Sequence, residues 1–247
     1  AGWREAQRSP RFVDMVTGEP GFFDTRAAAL WDDENFYVGF WIDEPFVRAR
    51  LTERDSLIFT ENDVEVFIAG EDCYYEFEIN ALGTIYEVFF VWQDAFRRGS
   101  RFDVPEWDLL SRRVVTFAGD YDRNPESFWV GTHPRGPRWA YLDYDFPGLK
   151  SAIWIDGTLN DDSDIDRGWR VELAFPWTGM KALAGSRPLP PRPGDVWKMF
   201  FGRFEALRVC GKEVKPHPGW SWTPHGAYDS HLPEKFTEVE FSADTIG

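Results

Sequence analysis

Positive charge is scarce in this 247-residue chain: 27 Lys and Arg stand against 42 Asp and Glu, for a formal charge of -15. Such a surplus repels phosphate backbones and anionic lipid surfaces, which argues against nucleic acid as a partner. Cysteine is nearly absent. Cys73 and Cys210 are too few for a metal cluster, and their separation leaves it open whether they are bridged. No apolar run approaches the ~20 residues needed to span a bilayer, so no membrane insertion is expected. The N-terminal AGWREAQRSP has neither the basic start nor the apolar core of a signal peptide, so the chain is either cytosolic or has had a signal removed. The four histidines, His133, His217, His225 and His231, lack the H-E-x-x-H spacing of a zinc hydrolase. A G-x-S-x-G nucleophile elbow and a glycine-rich phosphate loop are missing as well.

Aromatic residues are plentiful, with 13 Trp, 22 Phe and 8 Tyr, and the hydrophobic content of 43% is enough for a genuine core. Aromatics pack the cores of β-sandwiches and also grip the C–H faces of sugar rings, so their number alone fits either use. Period-two alternation recurs at Phe36 to Ile42, Asp63 to Ile68, Tyr74 to Asn80, Ile85 to Trp92, Trp169 to Phe175 and Trp197 to Glu205. Turn residues separate these runs, at 81 to 83, 166 to 168 and 188 to 194. Only Pro176 to Ala184 has room for a helix, and that a short one. The pattern predicts an all-β fold: a two-sheet antiparallel β-sandwich with long loops and at most short helices. One domain over 1–247 is expected, with a loop-rich excursion at about 94–145, where Arg, Pro and Gly break the periodicity.

The runs DVEVFI and YYEFEIN place Val64, Val66, Ile68, Tyr75, Phe77 and Ile79 on one face of a sheet and Asp63, Glu65, Glu76, Glu78 and Asn80 on the other. Carboxylates aligned beside aromatics suit a sugar-binding face, a glycosidase or a metal site. An ordinary solvated sheet face has the same pattern.

Taken in order, the segments WDD...YV, D-x-E-V-F, YYEFE-x-N-x-x-G, a Pro-Trp closing a strand and a terminal H-x-P-E-x-F resemble the family-9 carbohydrate-binding modules. The nearer likeness is to the family-9-like branch of exported bacterial proteins. It runs from roughly Asp24 to Ser242, with least to match between Asp94 and Asp145. The resemblance implies a β-sandwich that clamps a sugar between two aromatic rings, with bound calcium in some members, and export from the cell (periplasmic, secreted or cell-surface). It also implies association with a glycoside hydrolase in polysaccharide breakdown. Phe59 stands where one clamp aromatic is expected. The second falls near Ser230 or His231, a departure from the two-ring pattern that Trp222 or Tyr228 would have to make good.

On this reading the sugar contacts are Phe59, Glu65, Asn80, Trp92, Arg203, Trp222, Tyr228 and His231, with Arg203 as charge partner of the carboxylates. A buried ion-pair network that fixes strand register would use Glu65 and Arg203 equally well. No cofactor is required. A calcium ion is conceivable at Asp162, Asp164 and Asp166, whose alternate spacing opens like a calcium loop, or at Asp43. A glycoside hydrolase would instead pair Glu65 with Glu78 or Glu172. A third reading is an exported sandwich that has lost its sugar site and serves a structural or protein-interaction role.

Overall fold

The computed structural model describes residues 2–118 and 133–244. Its strands in chain order begin with β1 (Val13–Asp14), β2 (Thr25–Trp31), β3 (Asn35–Asp43), β4 (Asp63–Ala69), β5 (Cys73–Ile79), β6 (Ile85–Trp92), β7 (Val114–Phe117) and β8 (Arg138–Tyr141). There follow β9 (Lys150–Asp156), β10 (Gly168–Pro176), β11 (Val196–Phe204), β12 (Arg208–Val209), β13 (Lys212–Glu213), β14 (Gly219–Ser221) and β15 (Thr237–Glu240). All six alternating runs of the sequence fall on strands, with Asn80 and Glu205 standing one residue past the ends of β5 and β11. The expected short helix is α1 (Lys181–Ala184), which continues a 3-10 turn at Trp177–Met180.

The strands form two main antiparallel sheets, as expected for an all-β sandwich. The larger runs β1-β14-β11-β4-β5-β6-β8-β7, with β15 added to β11, and the smaller runs β2-β3-β10-β9. Aromatic rings meet between the sheets: Phe77 and Phe175 stand edge-on at 5.7 Å, and Phe40 lies 6.5 Å from Phe201. Fully burying a side chain of this kind contributes roughly 1.5–3 kcal/mol, and one cluster of buried apolar residues draws on both sheets. Between 94 and 145, β7 and β8 pair and extend the large sheet, while part of that stretch, 119–132, lies outside the described residues. Cys73 is buried, Cys210 is exposed, and both are free thiols. Among the described residues no helix is long and apolar enough to cross a membrane.

The acidic face of β4 and β5 is not a solvated one. Every residue of both strands is buried, because the second face of the large sheet is covered in turn by the chain that follows β13.

Candidate functional site

Strand parity and register assemble the site. Cross-strand partners share a face, so Gly202, Glu65, Glu78 and Tyr86 form one row across β11, β4, β5 and β6. The next row runs Phe200, Phe67, Glu76 and Val88. Both rows face away from the sandwich core. Gly202 leaves the position beside Glu65 without a side chain, and a Cβ there would meet the Phe200 ring at 2.4 Å.

Over these rows lies a cavity of about 490 Å³. Glu65, Glu76, Glu78 and Tyr86 line it from the sheet, Phe59 from a 3-10 turn at Ile58–Thr60, and His217, Tyr228, Ser230 and His231 from the covering chain. Phe59 is 41% exposed and stands edge-on to Tyr86, with ring centroids 5.7 Å apart. Tyr228 makes a similar contact with Phe204 at 5.7 Å, and its hydroxyl donates to the His217 carbonyl oxygen. His231 is fixed by a hydrogen bond between its Nδ1 and the Tyr74 hydroxyl at 3.1 Å, and its backbone N–H donates to Asp229 at 2.7 Å.

The floor is strongly acidic and sheltered. An oxygen from each of Asp63, Glu65 and Glu78 lies within 4.8 Å of the others, the one such group of three among the described residues. Burial pushes Glu78 well above the usual carboxylate range, and the nearby Glu65, Asp63 and Glu76 push the same way. Asp63 is also raised by burial, against the pull of the Phe204 N–H that donates to it. Carboxyls held this way can donate as well as accept, which suits a hydroxyl group. The rings beside them offer flat apolar contact.

Of the residues expected to touch sugar, Phe59, Glu65, Tyr228 and His231 meet in this cavity. The other four lie elsewhere. Arg203 pairs in register with Val64, so parity turns it to the opposite face from Glu65. There it binds Glu205 at 2.7 Å, Glu44 at 3.5 Å, Thr25 Oγ1 and the Asp43 carbonyl, forming a buried ion-pair network and not a partner for the pocket carboxylates. Asn80 is consumed by the β5–β6 turn: it accepts from the N–H groups of Leu82 and Thr84 and donates to Leu51 O and Glu61. Trp92 is 4% exposed, packed under Arg138 and against His133. Trp222 packs on Phe201 and lines a separate groove with Trp31.

The acidic loop also differs from a calcium loop. Asp162 forks Arg48, Asp166 accepts from the Val47 and Thr158 N–H groups, and Asp164 is exposed, so the three carboxylates do not converge. Asp43 is exposed at the end of β3. Glu172 stands on β10 in the other sheet, so it forms no pair with Glu65. Glu65 and Glu78 stand opposite one another across β4 and β5, with an oxygen of each within 4.8 Å of the other. Tyr86 and His217 were not anticipated. Tyr86 was readable from the short β5–β6 hairpin, which sets Glu78 opposite it. His217 carries no local signal.

The fold and the cavity together define a β-sandwich with a candidate ligand site on one face of the larger sheet. Residues 24–107 match the profile described as carbohydrate-binding family 9. Phe59, Glu65, Glu78 and Tyr86 fall within that stretch. Nothing among curated proteins matches the chain. Among solved structures, a candidate carbohydrate-binding protein from Bacteroides uniformis has a TM-score of 0.57 at 14% identity, covering 97% of this chain and 88% of that one, and shares the fold. A family 9 carbohydrate-binding module from Caldicellulosiruptor kristjanssonii also matches. Its glucose complex has a TM-score of 0.46 at 12% identity, covering 99% of this chain and 88% of that one. Its cellotriose complex has a TM-score of 0.47 at 12% identity, covering 98% and 86%.

Proposed function

We propose that the chain binds carbohydrate without turning it over, in the cavity above β4, β5 and β6. One observation carries this reading: the exposed ring of Phe59 and the buried pair Glu65 and Glu78 line the same cavity, inside the stretch that matches family 9. The ring presents an apolar face to sugar C–H groups, and the carboxyls exchange hydrogen bonds with hydroxyls. The acidic floor and the net charge of -15 favour neutral sugars over anionic ones.

The apolar cluster that spans both sheets supports treating 1–247 as one binding domain. An exported location, and work beside a glycoside hydrolase on polysaccharide, fit a protein whose ligand is a polymer found outside the cell. Stacking on Phe59 calls for no cofactor.

Calorimetric titration with a panel of neutral mono- and oligosaccharides tests the reading. Saturable binding is expected, weakened by roughly tenfold, or ~1.4 kcal/mol, in Phe59→Ala. A folded protein that binds nothing in the panel overturns it, as does turnover of oligosaccharide that Glu65→Gln abolishes.

A further inference from the structure

We propose that the outer face of the smaller sheet holds a second carbohydrate site, one for sugars that carry a carboxylate. Register sets Arg26, Trp41, Arg170 and Trp154 in one row across β2, β3, β10 and β9. The row points away from the core, because Phe40 and Val171, the chain neighbours of Trp41 and Arg170, are the core residues. This face therefore lies on the far side of the sandwich from the acidic cavity, and the two sites share no lining residue.

The N-terminal segment completes a pocket of about 130 Å³ over the row, lined by Trp3, Arg4, Arg8, Trp41, Arg170 and Glu172. Gly39 lets Trp3 settle there: a Cβ at position 39 would come within 3.1 Å of the indole. Trp3 meets Trp41 edge-on at 5.9 Å, and the Arg8 guanidinium lies over Trp41 at 3.9 Å. Arg170 lies in the same way over Trp154, at 4.6 Å. A guanidinium stacked by its flat face keeps its N–H edge for a planar anion, and a carboxylate fits that fork.

Charge points the same way. The chain as a whole disfavours anions, with a net charge of -15, yet Arg4, Arg8 and Arg170 meet at this pocket. None of the three forms an ion pair or a side-chain hydrogen bond among the described residues. Arg26, in the same row, is by contrast taken by Asp24 at 3.2 Å. Cations gathered without a counter-charge repel one another, and an anion relieves that.

The lining's one carboxylate, Glu172, selects among anions. It repels a phosphodiester or sulfate, which offers acceptors alone, and it accepts from a hydroxyl set beside a carboxylate. Trp154, 50% exposed, offers its ring to the C–H face of a sugar. A uronate supplies the carboxylate, the neighbouring hydroxyls and the apolar ring face together. The choice of a sugar as ligand rests on the carbohydrate reading above; the place of the site does not.

Calorimetric titration of the whole chain with oligogalacturonate at low ionic strength tests the proposal. Saturable binding is expected, weaker as salt screens the arginines, and lost with the methyl-esterified oligomer, which keeps the rings and not the charge. Arg8→Gln and Arg170→Gln should each weaken it by at least about tenfold, the worth of one hydrogen bond to a charged group, and should bind neutral sugar as the wild type does. Both side chains are exposed, so the variants are expected to fold, and the esterified comparison reads the unaltered protein in any case. Absence of oligogalacturonate binding by the folded wild type overturns the proposal. Equal binding of the esterified oligomer, binding that survives both substitutions, and binding that Phe59→Ala abolishes do so too. Equal or tighter binding of single-stranded DNA would also overturn it, by showing a surface for polyanions at large. Neutral sugars that fail to bind while oligogalacturonate binds would overturn the cavity reading alone.

Discussion

Glu65 and Glu78 stand directly opposite one another across β4 and β5, at 2% and 1% exposure. Acidic side chains in register weaken an antiparallel pair when both are ionised, and burial, with Glu65, Asp63 and Glu76 nearby, pushes Glu78 toward its protonated form. Glu78→Gln keeps the size of the side chain and a neutral, hydrogen-bonding head in place of the protonated acid. Urea denaturation is expected to show stability unchanged or raised by up to about 1 kcal/mol. A fall of about 3 kcal/mol or more, typical of breaking a buried pair, would make the two carboxyls a structural couple and not a site.

Trp222 lines a groove of its own and is absent from the lining of the acidic cavity. Trp222→Ala is therefore expected to leave sugar affinity unchanged in the titration that Phe59→Ala weakens. Equal losses in the two variants would move the sugar to the Trp222 groove, or spread it over both.

Asn80 supports the site through the backbone. Its side-chain oxygen accepts from two N–H groups in the β5–β6 turn, at 3.0 Å each, and that turn sets the register placing Glu78 beside Tyr86. Asn80→Ala strands those donors, at about 1–3 kcal/mol for a buried group left unsatisfied. Denaturant midpoints should fall accordingly, and sugar affinity of the folded fraction should persist. Lost affinity without lost stability would return Asn80 to the ligand contacts.

The strands were legible because their period of two survives in the sequence, and the pairing of Glu65 with Glu78 follows once two short hairpins fix the register. Phe59 was legible through its place before β4. What the residues did not disclose was that both faces of β4 and β5 are buried, since the cover comes from the chain after β13, far away in sequence. Arg203 was misplaced for a related reason: its face depends on which β4 residue it opposes, and β11 lies well over a hundred residues from β4. Asp162, Asp164 and Asp166 have the spacing of a calcium loop, but backbone geometry sends Asp166 inward to Val47 and Thr158 and Asp162 outward to Arg48.

Burial raises Glu44 to about 8, with Glu205 adding to the shift, and raises Glu87 to about 7. A carboxyl whose folded pKa exceeds its unfolded value keeps its proton in the native state after the unfolded chain has lost it. Its stabilising contribution is full below about 4.5 and is lost as pH rises through the folded value. His225, whose pKa burial lowers, works in the opposite direction below the ordinary histidine value of about 6.5. Between pH 6.5 and 8 the carboxyls therefore act without that opposition. Melting temperatures measured in chelator are expected to decline across this window, and Glu44→Gln should flatten the decline. A rise over the same range would show that these acids are ionised at little cost.

Arg203 holds two buried carboxylates, Glu205 at 2.7 Å and Glu44 at 3.5 Å, and lies over the rings of Phe23 and Trp220. Arg203→Met keeps much of the apolar stem but leaves both acids without their counter-charge. A loss of about 3–5 kcal/mol is expected, as for removal of one partner from a buried pair. Because burial already favours the protonated form of Glu44, the loss should be smaller at pH 5 than at pH 8, and the interval between denaturant midpoints of wild type and variant should widen with pH. Sugar affinity of the folded variant should be unchanged, because Arg203 faces the core side of β11 while the cavity opens on the other. An affinity loss at a pH where the variant remains fully folded would restore Arg203 to the binding site.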